Sequence, residues 1–218
     1  MKSRKAFPVA YFLGQVRRKN RQWRRPVVAH YAETPFTVLI SCLLSLRTQD
    51  KTTDAASARL FAWARTPQAM RKLSVQTIEK AIYPVGFYRT KAKNILAICL
   101  ILLEKYAGEV PNTIEALLEL PGVGRKTANL VMTEGHKLPG ICVDVHVHRI
   151  ANRWGYVRTQ QPDETETVLR QILPPRYWIG INEWLVTYGQ NLCKPVSPHC
   201  SQCVLAPQCP RKGVTHSR

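Results

Sequence analysis

Two groups of residues in this 218-residue chain have types and spacings suited to chemistry. The first is "LPGVGRKTA", residues 120–128, where Pro121, Gly122 and Gly124 lead directly into Arg125 and Lys126. A helix–turn–helix hairpin with glycines at its bend exposes backbone N–H groups at the start of its second helix. Those groups, together with the helix dipole, attract an anion such as phosphate. A side chain at Gly122 or Gly124 would hold the phosphate off. The same residues also make an ordinary tight turn between helices. Lys126 falls in the first turn of the second helix, where a cation opposes the dipole. It is either a second phosphate contact or, held neutral, a nucleophile. Further on, Asp144 stands between Val143 and Val145 in "CVDVHVHR". An acid in that setting is a helix N-cap, a functional carboxylate, or both, and by residue type the cap is favoured.

The second group is "CKPVSPHCSQCVLAPQC", which spaces Cys193, Cys200, Cys203 and Cys209 as C-x6-C-x2-C-x5-C. Four thiolates suit tetrahedral zinc or a four-iron cluster, and ligand type alone does not choose between them. His199 is a further candidate, although four cysteines complete a set. Cys42, Cys99 and Cys142 lie scattered in apolar stretches and read as buried free thiols.

The elements that must position these residues are helical nearly throughout. Apolar periodicity predicts helices over residues 37–46, ended by Asp50, and over 52–65, 77–82 and 91–108. Asn112, three residues before Glu115, gives a capping-box-like start to a helix that must stop at Leu120, before Pro121. A new helix follows at Gly124 or Arg125, then others over 144–155, 162–173 and 177–193. No alternating strand pattern is present, so the class is all-α. The longest apolar runs are far shorter than a membrane span requires.

Charge narrows the partner. Lys plus Arg number 32 against 14 acids, a net charge of +18, which points to a polyanion. Residues 1–32 hold nine Lys or Arg and no acid. Pro8 interrupts the apolar patch there and no small-residue cleavage site follows, so a retained basic helix is expected rather than a signal peptide. With this charge, the phosphate reading of the glycine turn moves ahead of the plain turn.

The hairpin "LPGVGRKTAN", the "VDVHVHR" after it and the cysteine spacing together resemble the endonuclease III family of helix-hairpin-helix DNA glycosylases. "LLSLRTQD", "GFYRTKAKNI", "GEVP" and "WLVTYGQNLC" also fall where that family has counterparts, so the likeness runs over residues 36–210. It implies two helical domains flanking a DNA-binding cleft: a six-helix barrel with the hairpin over 28–138, and a cluster domain from 1–27 with 139–218. The four cysteines would hold a 4Fe–4S cluster, iron being implied by the resemblance alone. The activity implied is a bifunctional DNA glycosylase/AP lyase of base excision repair. It would remove oxidised pyrimidines by base flipping, with Lys126 as nucleophile and Asp144 as the assisting carboxylate. The expected partner is double-stranded DNA with damaged bases or abasic sites. The protein would act without a membrane, as a monomer, in the cytoplasm on nucleoid DNA.

The resemblance also implies DNA contacts from Leu120, Gly122, Val123, Gly124 and Arg125, from Lys194 in the cluster loop, and from two residues that fill the hole left by a flipped nucleotide, Arg47 and Phe87. Arg47 stands where the family has glutamine, and Gln49, two residues on, sits at an offset that points elsewhere. The loop between Cys193 and Cys200 carries one definite cation, Lys194, with Pro195 and Pro198. Other readings are a related glycosylase acting on mismatches or pyrimidine dimers, and a non-enzymatic DNA-binding protein with a structural metal. An adenine glycosylase is disfavoured, since those relatives use the Asp without the Lys.

Overall fold

The computed structural model describes residues 7–218. The expected basic start at residues 1–6 lies outside the described residues. All regular structure among the described residues is helical. The chain divides into two compact units, one of Pro26–Gly140 and the other of the N-terminal segment up to Arg25 with Ile141–Arg218.

The Pro26–Gly140 unit is built around one helix. Following the basic helix α1 (Val9–Asn20) and the short α2 (Val27–His30), α3 (Pro35–Ser45) buries every residue from Phe36 to Leu44. A helix apolar on all sides must be surrounded. Around it pack α2, α4 (Asp50–Trp63), α7 (Tyr88–Lys105), α9 (Arg125–Leu130) and a π-helical turn, Val131–Gly135. Side-chain caps fix where these helices begin. The Thr34 hydroxyl accepts from the Thr37 N–H ahead of α3, Thr66 from Ala69 ahead of α5 (Pro67–Arg71), and Ser74 from Thr77 ahead of α6 (Val75–Ile82). Each such cap stabilises its helix by about 1 kcal/mol.

Three sequence expectations need correction here. Asp50 does not end the preceding helix but opens α4, where its charge suits the N-terminal dipole. The cap of α8 (Ile114–Leu118) is Thr113, not Asn112: its hydroxyl takes the Ala116 N–H. That helix also stops at Leu118, so a short turn rather than helix leads into Pro121.

In the other unit, α1, α10 (Val145–Arg153) and α12 (Ile181–Asn191) share a core of Phe12, Leu13, Val16, Val147, Ile150, Leu185 and Tyr188. α11 (Pro162–Ile172) packs on α10. It starts with Pro162 and carries Asp163 and Glu164 in its first turn, residues that suit a helix N-terminus.

Candidate functional site

The hairpin bend follows directly from its glycines. Gly122 sits at φ +79°, a conformation that costs a side chain dearly, and a Cβ there would lie 2.7 Å from Asn94 Nδ2. Gly124 is extended, with no protein atom within 4 Å of where a Cβ would be, and serves as the N-cap of α9. Leu120 and Val123 are buried, at 2% and 7% exposure, and the Val123 N–H donates to the Leu120 carbonyl. Their side chains hold the bend together and are not available to DNA, so a DNA role for either is limited to backbone. Gly122, Gly124, Arg125 and Lys126 are exposed.

Lys126 lies in the first turn of α9. Burial pushes the thiol of Cys42, in α3, up to about 12; the Lys126 ammonium is near enough to offset part of that rise, and Glu134 adds to it. Glu134 is a buried acid on the π-helical turn, ion-paired to Lys137 at 3.6 Å. Sequence reasoning passed over it, because one acid in "MTEGHK" carries no pattern.

Asp144 belongs to the other unit and caps α10. Its Oδ1 accepts from the backbone N–H of both His146 and Val147, each at 2.9 Å, and the residue is 6% exposed. The cap reading is therefore borne out. A carboxylate so fixed is a preorganised acceptor, held by backbone rather than by a mobile side chain.

Cys193, Cys200, Cys203 and Cys209 all line one cavity with Arg153, Tyr188 and Leu192. Arg153 is 8% exposed and donates to Cys193 Sγ at 3.3 Å and to the carbonyls of Lys194 and Pro195 at 2.7 Å each. Tyr188 Oη lies 3.0 Å from Cys203 Sγ. Four sulfurs facing one cavity with cationic and hydroxyl donors fit a thiolate-bound metal group. Among the described residues, no group of three or more His, Cys, Asp or Glu is placed to hold a metal ion. Lys194 is exposed on the loop that Arg153 holds.

Residues 40–175 match the model of HhH-GPD superfamily base excision DNA repair proteins. The chain belongs to that superfamily. It is 48% identical to endonuclease III of Thermotoga maritima over 180 residues, covering 83% of this chain and 84% of that one. It is 37% identical to endonuclease III of Escherichia coli K12, covering 82% of this chain and 85% of that one. Among solved structures, a non-covalent endonuclease III–DNA complex superimposes with TM-score 0.83 at 34% identity, covering 92% of this chain and 93% of that one. A trapped covalent endonuclease III–DNA intermediate with an estranged adenine gives 0.81 at 35% identity over the same shares.

Within this superfamily member, Arg47 and Phe87 stand out structurally. Phe87 is 62% exposed, so it is not a core aromatic. Both residues have positive φ, 52° and 57°, and the Arg47 guanidinium lies 5.5 Å from the Phe87 ring centroid. Left-handed backbone at two non-glycine residues costs on the order of 1 kcal/mol each and is a mark of functional sites. No periodicity in the sequence signals this pairing, because the two residues are 40 positions apart (47 to 87).

Proposed function

We propose that, in this DNA glycosylase/AP lyase of base excision repair, Lys126 is the nucleophile and Asp144 its carboxylate partner. The target base is inside the duplex, so its nucleotide must first leave the stack. The exposed N–H groups at Gly124 and the start of α9 would seat a phosphate without reading sequence. The neutral Lys126 amine attacks C1′ of the deoxyribose, the C1′–N bond breaks, and the base leaves with a proton. The lysine nitrogen then forms a Schiff base with the ring-opened sugar. Loss of a C2′ proton expels the 3′ phosphate by β-elimination. Asp144 takes the proton from the lysine and stabilises positive charge on the sugar.

The observation that carries this reading is Lys126 in the first turn of the helix behind the glycine bend, in a chain whose relatives include a covalently trapped endonuclease III–DNA complex. The substrate class proposed is DNA with oxidised pyrimidines. Arg47 and Phe87 would fill the vacated space, the arginine donating to the orphaned base and the phenylalanine wedging between steps. Lys194 and the basic helix α1 would add contacts to the phosphate backbone that salt weakens. Cys193, Cys200, Cys203 and Cys209 would hold a 4Fe–4S cluster, which when bound cross-links residues 193–209 into one rigid loop. The protein would act as a monomer in the compartment that holds DNA. Among the described residues, no helix is long and apolar enough to cross a membrane.

The test is a panel of duplexes containing thymine glycol, an abasic site, a mismatch and a pyrimidine dimer. Release of thymine glycol with strand cleavage at both it and the abasic site is expected. Activity confined to the mismatch or the dimer would replace the substrate class, and DNA binding without any cleavage would leave only a binding protein.

A further inference from the structure

Lys91 is the most unusual polar residue of the Pro26–Gly140 unit. It sits in the first turn of α7, is 8% exposed, and burial lowers its amine to a pKa of about 8. Its Nζ donates to the Leu44 carbonyl at 3.0 Å and the Leu46 carbonyl at 2.6 Å, and lies 3.5 Å from Thr48 Oγ1. A helix C-terminus favours a cation there, but a lysine is rarely buried this deeply without a counter-charge. Its cost has to be offset by what it holds.

What it holds is the backbone just before Arg47 and the Thr48 hydroxyl just after it. The carbonyl before Arg47 accepts from Lys91, and Thr48 after it accepts the Gly86 N–H at 3.1 Å. Gly86 approaches so closely that a Cβ there would lie 2.7 Å from the Arg47 carbonyl oxygen. Gly86 immediately precedes Phe87, which in turn is the N-cap of α7. The two segments, 46–48 and 86–87, are therefore one body: Lys91 from below, Thr48–Gly86 at the seam, and the Arg47 cation against the Phe87 ring on top. Leu43, Arg47, Phe87 and Lys91 line a common cavity.

We infer that Lys91 is a positioning residue for base excision: it locks Arg47 and Phe87 into a single preassembled wedge that holds the strand opposite a flipped nucleotide. This rests on the proposed gap-filling role of those two side chains. Both are presented in left-handed backbone that neither residue prefers, and such strain persists only where surrounding contacts over-determine it. Lys91 and Thr48 supply those contacts. A preassembled wedge loses less entropy on entering DNA than two independent loops would.

The test uses the full chain and two duplexes, with thymine glycol placed opposite guanine or opposite a tetrahydrofuran abasic analogue that leaves no orphaned base to hold. In single-turnover excision opposite guanine, Lys91→Met should be slower than the parent by on the order of 10²-fold, the cost of a misplaced positioning group. Opposite the abasic analogue, parent and variant should converge. Circular dichroism and thermal unfolding check that the variant folds. Should it not fold, Thr48→Ala, which cuts the seam to Gly86 and the Thr48 contacts to Lys91 and the Leu46 carbonyl but leaves Lys91 on the Leu44 and Leu46 carbonyls, takes its place with the same expected pattern. Equal rates opposite guanine, or an equal deficit on both duplexes, would overturn the inference. Excision absent even from the parent would instead sink the repair reading on which it rests.

Discussion

Asp144 has two roles in this account, cap and reacting carboxylate, and two substitutions separate them. Oδ1 receives two backbone N–H groups at 2.9 Å each in a site 6% exposed, so Asp144→Ala leaves both donors of α10 without that acceptor. Losing an N-cap costs about 0.5–2 kcal/mol, and burial puts this one near the upper end. For a chain of this size about 2 kcal/mol lowers the melting temperature by roughly 4–8 °C. Asparagine retains an oxygen at the capping position and is as good an N-cap as aspartate, so Asp144→Asn should unfold within about 0.5 kcal/mol of the parent. It cannot take a proton from Lys126 or stabilise a cation as a carboxylate does. Single-turnover excision by Asp144→Asn should therefore fall by about 10²-fold or more. The assay is thermal unfolding of both variants beside excision of thymine glycol under single-turnover conditions. An Asn variant that excises at the parent rate would leave Asp144 as a cap alone. An Asn variant as unstable as the Ala variant would show that the cap argument itself is wrong.

Other outcomes are expected from the same geometry. Because burial lowers Lys91 from its usual 10.5 to about 8, the unfolded chain binds the extra proton between those values. The parent should gain stability relative to Lys91→Met as pH rises from about 8 to about 10, by up to about 3 kcal/mol, measured by urea unfolding at each pH. Gly122→Ala, at φ +79°, should destabilise by about 1–2 kcal/mol. Gly124→Ala, which meets no protein atom within 4 Å, should unfold like the parent yet bind DNA more weakly, and unchanged DNA affinity would argue against a phosphate seat. Arg47→Gln restores an acceptor as well as a donor, so it should narrow any rate difference between guanine and adenine opposite the lesion. Arg153→Met removes the donors to Cys193 Sγ and to the Lys194 and Pro195 carbonyls and should hasten loss of the visible absorbance of an iron–sulfur cluster in air.

Much of this was legible in the sequence because the signals were local. The glycine bend, Lys126 one residue into the next helix, the Asp144 cap and the cysteine spacing are all short-range patterns, and each appears where its spacing placed it. Helix starts were less legible where two capping residues are adjacent: Thr113 takes the α8 cap from Asn112, since its hydroxyl is the one that reaches Ala116. Lys91 and Arg153 were not legible at all. Their shortest hydrogen bonds go to backbone carbonyls more than 40 residues away, at 44, 46, 194 and 195, and a carbonyl leaves no trace in residue type. The burial of Leu120 and Val123 was missed for a related reason. In a four-residue bend the sequence does not say which apolar side chain turns inward.

The central claim is that one particular amine becomes covalently joined to DNA. Incubating the full chain with a thymine glycol duplex in sodium borohydride, then digesting the cross-linked species and sequencing its peptides by mass spectrometry, tests it directly. The reduced deoxyribose adduct should sit on Lys126, with Lys126→Ala giving no cross-link while still binding the duplex. An adduct on any other residue, or an undiminished cross-link from Lys126→Ala, would contradict the account.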